Sequence, residues 1–123
     1  MDFKLELVYV PVSDVDRAKA FYTEKLDFNA DQDHQVTEEL RFVQLTPRGS
    51  ACSIAIGTGI LDSPAGSVKG LQLVVADIEA AHAQLQERGV QASEIQDFPW
   101  GRFVFFSDPD GNSWSVQQVP PRP

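Results

Sequence analysis

Residues 5–12, LELVYVPV, alternate in a way that predicts a strand. Val8, Val10 and Val12 fall on one side, Leu7, Tyr9 and Pro11 on the other. The period then changes. Val15, Ala18, Phe21, Tyr22 and Leu26 form a helical stripe, with Ser13 or Asp14 placed to cap it, which predicts a helix over 15–26. A polar extended stretch follows through His34 and Gln35. LRFVQLTP and ACSIAIG then read as two strands, and 57–67, rich in Gly, Pro and Ser, as a connection. The same succession starts again. GLQLVVAD is a strand, Asp77 a cap, and 78–88 a helix with the stripe Ile78, Ala81, Leu85, stopped at Gly89. Further extended stretches are expected over 90–95, 103–106 and 114–119, joined by the turn sequence DPDGN, and the tail PPRP is expected to be unstructured.

The restart is an internal repeat. At a shift of 63, Val12 falls on Val75, Asp14 on Asp77, Ala18 on Ala81, Ala20 on Ala83 and Glu24 on Glu87. Each half reads βαβββ, over about 5–57 and 68–119. Neither half is long enough to bury a whole sheet face alone, so the halves must pair with each other or across a dimer.

Composition narrows the partners. With 123 residues, a net charge of −8 and a pI near 4.5, the chain is repelled by phosphate backbones and anionic lipid. Nucleic acid and membranes are therefore not expected. Asp2, Lys4 and Glu6 interrupt the first apolar residues, so no signal peptide is expected. The one cysteine, Cys52, cannot form an intrachain disulfide and reads as a buried strand thiol rather than a nucleophile. A cytoplasmic setting follows from these readings.

The doubled βαβββ pattern, with VPVSDVDRAKAFYTEKLDF near the start and FSDPDGNSWSV near the end, resembles the vicinal oxygen chelate superfamily of glyoxalases, bleomycin-resistance proteins and extradiol dioxygenases. The resemblance covers residues 5–119 and implies an α+β fold. In it, two tandem βαβββ modules form curled mixed sheets around a cavity, with helices on the outer faces. It also implies pairing into a homodimer. Metal-using relatives hold a divalent ion at four positions, which fall here on Leu7, Ala55, Gly70 and Ser115. Leu, Ala and Gly offer no side-chain donor and Ser is a poor ligand, so neither a metal nor another cofactor is expected. His34, Glu38, Glu39 and His82 are the other candidates; His34 has no second His or Cys nearby at ligand spacing, and His82 is expected in solvent. The first helix ends in Leu26-Asp27-Phe28, where relatives carry Leu-Gly-Phe.

Strand parity then sorts the lining. Tyr9, Phe42, Gln44, Ser53, Gln72, Ser115 and Gln117 are expected to face the cavity, with Trp100 and Arg102 near a rim. Trp100 is open to stacking on a planar ligand or to covering the core edge, and Arg102 to pairing with an anion or to solvent. Asp108 and Asp110 are expected to shape their own turn. The short 95–103 stretch suggests an open mouth. Amides, hydroxyls and aromatic faces suit a small polar or aromatic ligand bound without metal. A metal-dependent lyase or dioxygenase, and a metal-free isomerase using Tyr9, are the enzymatic alternatives.

Overall fold

Two aspartates start the two helices. Asp14 accepts from the Arg17 N–H at 3.0 Å and opens α1, Val15–Ala20. Asp77 accepts from the N–H groups of Glu79 and Ala80, both at 3.1 Å, and opens α2, Ile78–Glu87. The first helix does not stop at Ala20. It widens into a π-helical turn, Phe21–Lys25, so the helical path ends one residue short of the predicted 26. Asp27 closes it at φ 59°, and the Phe28 N–H returns to the Tyr22 carbonyl at 2.9 Å. The computed structural model describes residues 1–120; residues 121–123, most of the tail expected to be unstructured, lie outside the described residues.

The strands are β1 Leu7–Tyr9, β2 Asn29–Thr37, β3 Leu40–Thr46 and β4 Ser53–Thr58, then β5 Leu71–Val74, β6 Gln96–Phe98, β7 Gly101–Ser107 and β8 Ser113–Gln118. They form two four-stranded mixed sheets, ordered β1-β4-β3-β2 and β5-β8-β7-β6. The second order is the first with each number raised by four. β1 runs parallel to β4 and β5 to β8, and the remaining pairs are antiparallel. The chain is thus one topology used twice in tandem.

Two elements differ from their predicted bounds for visible reasons. β1 is shorter than 5–12: Leu5 is exposed, and Pro11, which has no N–H to donate, gives its carbonyl to Asn112 and Gly66 instead of a ladder. Residues 90–95 are not a strand. Their apolar members, Val90, Ala92 and Ile95, pack on the core. Ser93 meets Phe105 through its side chain as well as its backbone, which interrupts the ladder until Gln96.

One face of each sheet lies under the helices. Val43, Leu45, Ile54 and Ile56 come from the first sheet, Val104, Phe106, Trp114 and Val116 from the second, and all belong to one continuous core. Tyr22 and Phe28 each place their rings 5.8 Å from Trp114, which joins the modules. Each such fully buried side chain is worth ~1.5–3 kcal/mol. His82 departs from expectation. It lies one turn after Ile78 and beside Ala81, at the edge of the apolar stripe, so it is half-buried. Its Nε2 is buried without a hydrogen-bond partner among the described residues. Cys52 is half-buried just ahead of β4 rather than within it.

The DPDGN turn does more than reverse the chain. Asp108 shapes it by accepting from the N–H groups of Asp110 and Asn112, both at 3.0 Å. The other oxygen of Asp108 accepts from the Tyr22 hydroxyl at 2.7 Å and from Asn112 Nδ2 at 2.8 Å. Trp114 donates to the same Tyr22 hydroxyl at 3.0 Å. Asp110 accepts from the Ser13 hydroxyl at 2.5 Å and pairs with Arg17 at 3.3 Å. The second module's turn therefore staples the start and end of the first module's helix. Burial, and then the neighbouring Asp108 carboxylate, push the Tyr22 phenol well above the ordinary tyrosine range.

Candidate functional site

The two sheets stay open rather than closing into a barrel. Their faces away from the helices carry the chemistry, and strand alternation decides what stands there. On the first sheet, Val43 and Leu45 go to the core, so Phe42 and Gln44 stand on the open face; Tyr9, paired with Ala55, stands beside them. Ser53 belongs to the same face but is buried. Gln44 donates to the Ser53 hydroxyl at 3.2 Å, which shares a bond with Thr46 at 2.6 Å; Thr46 in turn donates to Asp31. Gln32 and His34 extend this ladder across β2, at 3.4 Å and 3.0 Å.

The second sheet repeats the arrangement with a different emphasis. Leu71, Leu73 and Val75 pack on the core, leaving Gln72 and Val74 outside. Trp114 and Val116 are buried under the helices, so Ser115 and Gln117 share the open face. Ser115 donates to Gln72 at 3.1 Å, Gln72 to Gln117 at 2.8 Å, and Gln117 to the Trp100 main-chain carbonyl at 2.9 Å. Beside this polar ladder runs an aromatic one. Trp100 stacks on Phe98 with centroids 5.2 Å apart, Phe98 meets Phe103 edge-on at 5.6 Å, and Phe103 stacks on Phe105 at 5.9 Å. Phe105 pairs with Ser115 and Phe103 with Gln117, so the two ladders lie side by side. Trp100 is 61% exposed and Phe105 39%.

A groove of about 920 Å³ opens at the turn end of this sheet. Gln72, Ser115 and Phe105 line it, with Phe21 and Lys25 from the π-helical turn. Of the seven lining and two rim residues expected from sequence, Gln72 and Ser115 border this groove. Gln117 and Trp100 lie next along the same face, and Tyr9, Phe42, Gln44 and Ser53 stand on the other sheet. Arg102 is not on the open face at all. It shares the helix side of β7 with Val104 and Phe106, and its guanidinium meets Asp97 at 2.8 Å and Glu79 at 3.6 Å. The hydrogen bond to Asp97 raises its pKa further, so the anion it was free to meet is supplied by its own chain.

Phe98, Phe103 and Phe105 also stand on this face, and sequence parity missed them. GRFVFFS is apolar at both parities, so alternation gave no sign of which of its rings faced outward, and Phe98 fell in the stretch between Ile95 and Phe103 for which no strand was expected.

The positions that hold metal in relatives do not fit one here. Leu7, Ala55 and Gly70 carry no side-chain donor, and a single neutral Ser115 hydroxyl is a poor ligand. Among the described residues no three His, Cys, Asp or Glu side chains cluster as ligands. His34 Nε2 meets Gln32, and Glu38 and Glu39 sit in the turn between β2 and β3.

Comparison with known proteins agrees with this architecture. The uncharacterized protein YetH of Bacillus subtilis (strain 168) is 29% identical over 119 residues, covering 90% of this chain and 94% of that protein. Among solved structures, TnmS3, an antibiotic binding protein from Streptomyces sp. CB03234, superimposes with a TM-score of 0.87 at 39% identity, covering 97% of this chain and 98% of the other. A glyoxalase/bleomycin resistance protein/dioxygenase superfamily member from Sphaerobacter thermophilus DSM 20745 gives a TM-score of 0.84 at 31% identity, covering 95% and 98%. The profile of the glyoxalase/bleomycin resistance protein/dioxygenase superfamily matches residues 4–116, and with the doubled βαβββ topology this places the chain in that family.

Proposed function

We propose that the protein binds a small, planar aromatic molecule on the open face of its second sheet and sequesters it without metal chemistry. The observation that carries this is the aromatic ladder Phe105–Phe103–Phe98–Trp100, in which Phe105, Phe98 and Trp100 are exposed around a buried Phe103, beside the polar ladder Ser115–Gln72–Gln117. Exposed rings held in a fixed stack are costly to leave in water and offer a flat ligand a ready surface. The likeness to an antibiotic binding protein supports a drug-like ligand.

We further propose that the functional unit is a cytoplasmic homodimer. Tyr9 on the first sheet and Val74 on the second are 46% and 67% exposed on faces that would otherwise line a cavity. A second copy covering them would set the first sheet of one chain against the second sheet of its partner. Among the described residues no helix is long and apolar enough to cross a membrane.

A thermal-shift screen tests the binding reading. Planar aromatic compounds should raise the melting temperature in proportion to the logarithm of concentration above Kd, and Phe105→Ala with Trp100→Ala should lose the effect. Stabilisation by added divalent cations alone, with none by any aromatic compound, would overturn it.

A further inference from the structure

The polar ladder of the second sheet has a direction, and that direction is set from outside the groove. A main-chain carbonyl only accepts. Gln117 Nε2 lies 2.9 Å from the Trp100 carbonyl, so the Gln117 amide is held with its nitrogen toward Trp100. Its oxygen must then face Gln72, which has to present its own nitrogen, at 2.8 Å. The Gln72 oxygen is left facing Ser115, and the Ser115 hydroxyl donates its single proton there, at 3.1 Å.

A second feature holds the anchor. Gly101 follows Trp100 at φ 151°, and a Cβ at that position would come within 2.9 Å of Gln117 Nε2, 2.9 Å of the Gln118 main-chain carbonyl and 3.2 Å of Gln117 Cγ. The missing side chain is the space in which the Gln117 amide reaches the carbonyl.

From this we infer that Ser115 meets the ligand as a hydrogen-bond acceptor, so that the site selects aromatic molecules carrying an O–H or N–H donor where they cross Ser115. This inference rests on the aromatic-ligand reading above. With its proton committed to Gln72, Ser115 Oγ has lone pairs alone to offer the groove. A ligand oxygen without a proton would face those lone pairs, whereas a hydroxyl or amine would complete the chain. Ser115 is mostly buried, so water compensates poorly for a mismatch. Gln117 and Gly101 act as positioning residues, since neither borders the groove.

The test compares 7-hydroxyflavone with 7-methoxyflavone by calorimetric titration, below the pKa of the phenol. The wild-type chain should prefer the hydroxyl compound by about five- to tenfold, the worth of one hydrogen bond to a partly buried acceptor. Ser115→Ala should abolish the preference. Gln117→Met should reduce it by releasing Gln72 and freeing Ser115 to donate, whereas Phe105→Ala should weaken both ligands equally. A preference that survives Ser115→Ala, or a wild-type chain that binds both flavones alike, overturns the assignment and leaves the aromatic reading standing. If neither flavone binds the wild-type chain, the same hydroxyl and methyl-ether comparison is made on the aromatic compound that the thermal-shift screen returns; a screen that returns none overturns the aromatic reading and this one with it. The wild-type comparison decides the matter even where a variant does not fold.

Discussion

At the scale of single residues, the group that most constrains the molecule is Tyr22. It is fully buried, donates to Asp108 and accepts from Trp114. Tyr22→Phe keeps the ring but leaves the buried Trp114 N–H without its partner and takes one of two donors from the Asp108 oxygen, and should cost ~1–3 kcal/mol in denaturant unfolding. The same residue makes a pH prediction. Its folded-state pKa is raised, so its contribution is fully present below the unfolded tyrosine value of about 10 and is lost as pH rises beyond it. Stability of the wild-type chain should therefore fall above that pH by up to about 1.4 kcal/mol per unit from this group alone. The Phe variant should lack that component of the slope. Equal alkaline slopes in the two proteins would show that Tyr22 ionises freely when folded. Asp33 shows the opposite shift. Hydrogen bonds from Arg41 and Lys19 hold its carboxyl far below the usual range, so it keeps its charge well into acid. By contrast, the Arg102 side chain spends its charge on Asp97 and Glu79, which sequence reading had no means to show because those partners sit on β6 and α2.

At the scale of elements, the end of the first helix carries a removable strain. Asp27 stands at φ 59°, where a side chain is disfavoured and glycine is not. Its carboxylate meets Arg48 at 3.4 Å on the surface, a pair worth little. The Arg48 contact to the Asp27 carbonyl at 3.1 Å does not depend on the side chain. Asp27→Gly should therefore stabilise the fold by about 0.5–1 kcal/mol, read from the denaturant midpoint at unchanged m-value. A loss instead would show that the carboxylate matters more than the backbone. This left-handed cap was legible through the resemblance, which sets Leu26-Asp27-Phe28 where relatives carry Leu-Gly-Phe. Both helix starts, the tandem repeat and most strands were legible in the sequence itself, since capping aspartates and period changes are local signals. The π-helical turn was not legible, because Phe21 and Tyr22 continue the same apolar stripe and no local signal marks the wider turn. Nor was β6, because Val90, Ala92 and Ile95 are apolar for packing on the core and not for alternation in a ladder.

At the scale of the whole molecule, the repeat explains both what the chain completes and what it leaves undone. The modules join through their helix sides, where Tyr22, Phe28 and Trp114 meet, so that the two open faces are not brought against each other. Parity in the sequence placed Gln44 and Ser53 on one such face and Gln72, Ser115 and Gln117 on the other, but no local pattern could say whether the faces belong to one cavity. Shared-site pairing between two copies makes a prediction that neither face alone can make. One variant, Gln44→Lys, damages the first sheet's face; another, Phe105→Asp, damages the second's. Each by itself should lose aromatic binding if every site needs both faces. After unfolding and refolding the two together, half of the dimers should be mixed. Each mixed dimer would pair one intact first sheet with one intact second sheet, while its other site carries both lesions. Binding should return to roughly a quarter of all sites, with wild-type affinity at those that return. Calorimetric stoichiometry reads this directly. If Gln44→Lys alone binds as the wild type does, the second sheet is sufficient by itself; if both variants fail and mixing restores nothing, any site needing both faces lies within one chain.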